Sequence, residues 1–298
     1  MAKKSDWIIG GFIFFGLLFV LLFFIMGVMG ISSGGSSLEF SGKKIGLVEL
    51  EGIIISSRKV VRNIKRMGDS ESIRAIVLRI DTPGGGVAAS QEIYDAVKSV
   101  RELKPVVVSM GSVAASGGYY VACGADTIIA NPGTTTGSIG VIMEIPNIEG
   151  LLDKLGIRFN VIKSGKFKDI GSPYRPMTSA EKEHLQTYID DAFDQFVKVV
   201  SESRNLSEDT VLSFADGRVF TGRQALELGL VDQLGNYEDA IQLAAKMSGI
   251  KGKPKTYRFP KRKITFFDLL FSDLSEVSEV LNATPSLKYQ FRLDGLFN

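Results

Sequence analysis

Cysteine and histidine are nearly missing from this 298-residue sequence, with Cys123 and His184 the only one of each. A single thiol excludes an internal disulfide and a thiolate metal cluster. A lone imidazole supports no zinc site, and it leaves a nucleophilic serine little choice of histidine base. Net charge is also small, at +2, so no global basic footprint marks a nucleic-acid partner. No P-loop glycine-lysine signature occurs, so no ATP dependence or other cofactor is implied. Charge is absent altogether from residues 7–38, and residues 8–29 are almost wholly aliphatic, Phe and Gly.

About 20 apolar residues at 1.5 Å each cross a hydrocarbon core of roughly 30 Å. A cleavable signal peptide would carry an apolar stretch of only about 7–15 residues. Residues 1–30 are therefore expected to be an uncleaved single-pass membrane anchor, despite the small residues at 30–37. Lys3 and Lys4 precede the span and the next positive charge is Lys43. That asymmetry places the N-terminus in the cytoplasm and the bulk of the chain outside the cell membrane, although Lys43 and Lys44 lie close enough to oppose it. A Gly/Ser linker covers 31–42.

From residue 43 to 250 strand patterns alternate with helix patterns, the signature of an α/β domain. Strands are expected near 45–55, 73–80, 106–110, 127–130, 140–143 and 158–162, and helices near 56–67, 87–103 and 147–155. Thr178-Ser179-Ala180-Glu181 is a capping box opening a long helix to about residue 203, followed by helices near 207–214, 223–228 and 237–247. Residues 251–298 begin strongly basic and turn apolar, and read as a tail or appended helix.

Two glycine-rich stretches follow buried-strand patterns: Asp81-Thr82-Pro83-Gly84-Gly85-Gly86, and the run from Gly111 through Ser116-Gly117-Gly118. Glycine lets the backbone turn sharply and bring bare N–H groups close to a ligand. A serine opening a helix at such a turn has donors at hand for a developing oxyanion. Ser116 is thus a candidate nucleophile, with a helix-capping serine as the plain alternative and Ser112 as a loop residue. Serine needs a base. His184 sits in the long helix with Leu185 and Ile189 turned to the core, so it reads as solvent-exposed. A lysine whose ammonium is disfavoured by its surroundings can substitute, and Lys163, Lys166 and Lys168 are equal candidates on spacing alone.

Five ordered motifs resemble the SppA signal peptide peptidases of the ClpP/crotonase fold group, in their short single-repeat form. They are Asp81 to Gly86, Gly111 to Tyr120, Thr136-Gly137-Ser138-Ile139-Gly140, Ser164-Gly165-Lys166-Phe167-Lys168-Asp169, and Asp216-Gly217-Arg218-Val219-Phe220-Thr221-Gly222. The resemblance implies a repeated ββα core over 43–250. It implies Ser116 as nucleophile, Lys168 as general base and Ser138 as the serine that hydrogen-bonds the lysine. It gives Gly117 with Gly85 or Gly84 as oxyanion donors. It also implies a ring- or dome-like homo-oligomer at the membrane that degrades signal peptides released during secretion, and other unfolded apolar peptides. A crotonase-like acyl-binding protein, a non-hydrolytic membrane scaffold and a broader membrane-protein quality-control protease are the alternatives.

Overall fold

The computed structural model describes residues 15–19, 21, 43–260 and 288–290. Contacts divide the chain into two units, Met1–Gly42 and Lys43–Asn298. Of the first unit, residues 15–19 and 21 are helical. Among the described residues no helix is long and apolar enough to cross a membrane; most of the expected span over 8–29 lies outside them.

The second unit is built on an eight-stranded sheet. Its strands are β1 (Lys44–Glu51), β2 (Ile73–Thr82), β4 (Val106–Ala115), β5 (Thr127–Ala130), β6 (Thr135–Gly137), β7 (Val219–Thr221), β8 (Gln233–Leu234) and β9 (Lys255–Arg258). The path runs β7-β6-β4-β2-β1-β9, with β5 and β8 branching from β4. Pairings are parallel except β6 with β7. A second, two-stranded sheet pairs β3 (Gly84–Gly86) with β10 (Lys288–Gln290), antiparallel.

Parallel strands covered on both faces read as unbroken apolar runs, and successive side chains point to opposite sides. In β2, Ala75 and Val77 face one layer while Ile76, Leu78 and Ile80 face the other, all fully buried or nearly so. The first layer is closed by helix α8 (Tyr237–Met247) through Ala240, Ile241, Ala244 and Ala245. The other is closed by α1 (Arg58–Asp69), α2 (Val87–Arg101), α3 (Gly117–Ala122) and the long α5 (Ser179–Arg204). Burying each Val, Leu or Ile side chain contributes roughly 1.5–3 kcal/mol. Shorter helices α4 (Glu149–Lys154), α6 (Glu208–Leu212) and α7 (Gly222–Glu227) complete the unit.

Three expectations change. Residues 140–143 form no strand; the strand lies just before them, as β6. Residues 158–162 are irregular and exposed, and pair with no strand among the described residues. Past residue 250, β9 joins the edge of the sheet parallel to β1 and β10 caps β3, so the segment is neither a simple tail nor an appended helix where it is described. Residues 261–287, which include the apolar stretch expected to be helical, lie outside the described residues.

Candidate active site

β4 changes partner along its length. Val107–Ser109 pairs with β5, while Val113–Ala115 pairs with β6. Thr134 and Thr136 fasten the second half, their hydroxyls donating to the carbonyls of Gly111 and Ala114 at 2.7 Å each. Ser116 follows β4 and Ser138 follows β6, so neighbouring parallel strands deliver two serines side by side. Both have left-handed backbone, with φ of 54° at Ser116 and 51° at Ser138. Such a conformation costs a non-glycine residue about 1–3 kcal/mol and persists where the surroundings enforce it. Here the enforcement is visible. The Ser116 N–H donates to Gly137 O at 2.8 Å, and the Ser138 N–H donates to Arg218 O at 2.9 Å. Ser116 caps α3, whose first N–H, on Gly117, has no intrahelical acceptor.

Both serines line an open cavity of about 480 Å³. Val141, Ile142, Ile189, Phe193 and Ala215 form its apolar walls, with Gln186, Asp190 and Asp216 among them. Asp216 is paired with Arg218 at 2.5 Å; the guanidinium holds its carboxyl down at about 2. Asp190 accepts from Gln186 at 2.7 Å. Both acids are therefore engaged, which leaves the apolar walls and the two serines as the cavity's remaining features. Among the described residues the Ser116 hydroxyl itself has no hydrogen-bond partner.

The two candidate glycine donors separate. Gly84 has φ of 102°, and its N–H is committed to the Thr82 hydroxyl at 3.0 Å. Its carbonyl accepts from Ile54 N–H at 2.8 Å, and Gly86 N–H donates to Ile54 O at 2.8 Å. Backbone groups alternate sides along a strand, so Gly85 turns its N–H and carbonyl to the opposite edge. On that edge lies β10, with Tyr289 opposite Gly85, and β10 also contacts α2 and α3. A side chain at Gly85 would place its Cβ 2.2 Å from Ile54 O, which explains why glycine stands there. Thr82, which takes Gly84 out of contention, gives no sign of this in the sequence.

Lys168 is exposed and lies outside the cavity, with no hydrogen bond to Ser116 or Ser138. No hydrogen bond therefore joins the two members of the expected dyad in this single chain. Next to Lys168, Asp169 is gripped by Lys163 and by Arg175. His184 is exposed as expected and stacks on Phe167, with ring centroids 5.3 Å apart. Tyr119 and Tyr120 are packing residues: Tyr119 donates to Leu230 O at 2.9 Å, and Tyr120 packs edge-on between Tyr94 and Phe196. Asp81 is structural too, accepting from Val113 N–H at 3.1 Å.

Comparison with known proteins gives the family. The family model "Peptidase family S49" matches residues 98–251, and "Clp protease" matches residues 55–136. A Synechocystis sp. protein named "Putative protease slr0021" is 47% identical over 83% of this chain and 91% of its own length. "Putative signal peptide peptidase SppA" of Enterococcus faecium is 36% identical over 69% of this chain and 64% of its own. "Serine protease SPPA, chloroplastic" of Arabidopsis thaliana is 34% identical over 74% of this chain and 32% of its own. A solved ClpP1 mutant from Listeria monocytogenes aligns with TM-score 0.46 and 17% identity over 65% of this chain and 94% of its own. The chain belongs to peptidase family S49, as an SppA-like serine protease with a single ClpP-like repeat.

Proposed function

We propose that this protease is a membrane-anchored Ser–Lys endopeptidase that degrades released signal peptides and other unfolded apolar peptides. The observation that carries the reading is the strained Ser116 in a cavity with apolar walls, beside a glycine strand whose outer edge already pairs with an extended segment, β10. An incoming peptide adds to β3 as an antiparallel strand, the mode of recognition in which backbone hydrogen bonds supply affinity and side-chain pockets supply selectivity. β10 lies in that mode, with Tyr289 opposite Gly85.

In this reading the Ser116 hydroxyl attacks the scissile carbonyl while the Lys168 amine takes its proton. The N–H groups of Gly85 and Gly117 receive the oxyanion. Lys168 then protonates the departing amine, and a water activated by the same lysine releases the acyl group from Ser116. Ser138, next to Ser116, accepts or donates to the lysine amine. The apolar walls select aliphatic or small side chains.

Because Lys168 is exposed and away from its own chain's Ser116, the base comes from a second copy in a ring-like homo-oligomer. The segment leading to Lys168 supports this, since it exposes Ile148, Leu151, Leu155, Ile157, Phe159 and Ile162. Exposed apolar surface of that extent marks an interaction face. Residues 8–29 anchor the assembly in the cell membrane, N-terminus inside and protease unit outside. The test is labelling of the full chain by a fluorophosphonate together with digestion of a synthetic signal peptide. Labelling and cleavage after small or aliphatic residues are expected, both lost in Ser116→Ala. Labelling that survives the substitution, or cleavage confined to sites after charged residues, overturns the reading.

A further inference from the structure

Lys168 is followed directly by a carboxylate, Asp169. An anion this close would hold a lysine in its ammonium form, the form that cannot act as a base. The structure gives Asp169 two other cations. Lys163 Nζ pairs with it, and Arg175 Nε donates to it at 2.9 Å, with a further donation from Arg175 Nη2 to the Asp169 carbonyl at 3.3 Å. Arg175 in turn forks onto Glu181, with Nη1 and Nη2 donating at 2.9 Å and 2.5 Å. Glu181 is 2% exposed, and it accepts the Thr178 N–H at 2.9 Å in the capping box of α5.

The charges balance. Lys163 and Arg175 match Asp169 and Glu181 one for one, so no carboxylate of this group is left to face Lys168. Two further side chains pack on the neighbouring Phe167: Lys166 sits over its ring at 4.6 Å, and His184 stacks on it at 5.3 Å. A planar guanidinium suits this place because it can grip two carboxylates at once. Arg175 also binds the Asp169 carbonyl, one residue past Lys168, so one side chain fixes both the backbone path and the charge. The Lys168 backbone is further tied by its N–H to Gly165 O at 3.1 Å.

We propose that Glu181, Arg175 and Asp169 form a relay that positions Lys168 from the start of α5 and withholds the Asp169 charge from its amine. Arg175 and Glu181 are positioning residues; neither touches the substrate. This rests on the reading of Lys168 as the general base, whether it serves its own chain or a neighbour.

The experiment measures kcat and KM of the full chain on a fluorogenic aliphatic peptide from neutral to alkaline pH. Lys168→Ala, carried alongside, tests the underlying reading, which fails on its own if that variant keeps its activity. In Arg175→Gln, Asp169 keeps Lys163 alone, and the share of its charge that Arg175 held turns to Lys168. The midpoint of the kcat profile then moves about 0.5–1 unit toward alkaline pH, as expected for an opposite charge at an exposed site. KM stays within about twofold while the plateau of kcat falls, because misplacing a base costs the chemical step. Asp169→Asn combined with Arg175→Gln returns the midpoint to that of the parent while the plateau stays low, an outcome that loss of folding alone does not produce. An Arg175→Gln midpoint equal to the parent's, or no return in the double variant, overturns the proposal. If Arg175→Gln does not fold by circular dichroism, Lys163→Met replaces it. Its smaller upward shift supports the relay, and a parental midpoint there overturns it.

Discussion

Ser116 and Ser138 show how a single backbone angle carries function at the residue scale. Each would relax if the sheet let it, yet hydrogen bonds from their N–H groups to the carbonyls of Gly137 and Arg218 hold both in the left-handed region. Rigid placement of this kind reduces the reorganisation that a reacting group must undergo. Gly85 and Gly86 make a matched test of how closely β3 is fitted. A Cβ at Gly85 meets Ile54 O at 2.2 Å, whereas one at Gly86 lies 3.6 Å from the same atom, an ordinary contact. Gly85→Ala must push β3 off Ile54, and its N–H moves with it. Losing one oxyanion donor costs about 10²–10³ in kcat, and a loss of that order is expected. Gly86→Ala is expected to stay within about threefold of the parent, since its backbone angle suits alanine. Steady-state kinetics on the two variants decides the matter; equal losses would mean that β3 responds to any added methyl group and that Gly85 has no special place.

Elements differed in how plainly the sequence announced them, and the difference is physical. Helix α5 was legible because the Thr178–Glu181 box marks its start and Phe193, Phe196 and Val200 recur on one face. Strands β1, β2 and the first half of β4 were legible from short stretches rich in Ile, Val and Leu, whereas the second half of β4 lies in the glycine- and serine-bearing run from Gly111. β6 and β7 have three residues each, too few for any period, and they exist because the end of β4 offers a free edge. Residues 158–162 carry the pattern of a strand but meet no partner, and local propensity cannot report an absent neighbour. Nor could spacing show that Arg175 bridges Asp169 and Glu181, since only the fold brings the turn onto the helix. α5 also supplies Ile189 and Phe193 to the cavity, while Phe196, fully buried, packs on Tyr120 of α3 at 5.1 Å. Phe196→Ala is therefore expected to cost about 3–5 kcal/mol and lower Tm by roughly 10 °C for a unit of this size. Activity measured well below the new Tm should fall as well, because α3 begins at Ser116. A Tm change under a few degrees would show that α5 merely rests on α3.

Across the whole molecule, the two halves of the proposed dyad and the strand that covers β3 raise questions that single residues do not. A base that is absent from its own chain's site calls for a partner, and closed rings are a common form of homo-oligomer. Mixing Ser116→Ala chains with Lys168→Ala chains should then restore activity that neither has alone, through sites that combine an intact serine with an intact lysine. Activity absent from the mixture, with mixed oligomers verified by mass, would return both residues to one chain. The second question is β10. It occupies the edge of β3 with Tyr289 opposite Gly85, the same edge that a substrate strand needs in the proposed mode. Two strands cannot hold one edge, so β10 must compete with substrate. A ligand that must displace an occupant binds with its affinity reduced by the fraction of sites that are free. The chain ended after residue 260 keeps the eight-stranded sheet, including β9, and loses β10. Its KM for an unstructured peptide is expected to fall several-fold at unchanged kcat, because removing the competitor alters binding and leaves the cavity alone. In the intact chain the same competition should weaken as peptide concentration rises, so the two rates converge at saturation. A truncated chain with parental KM would show that β10 leaves the edge freely, and one with lower kcat would show that it supports the site instead of covering it.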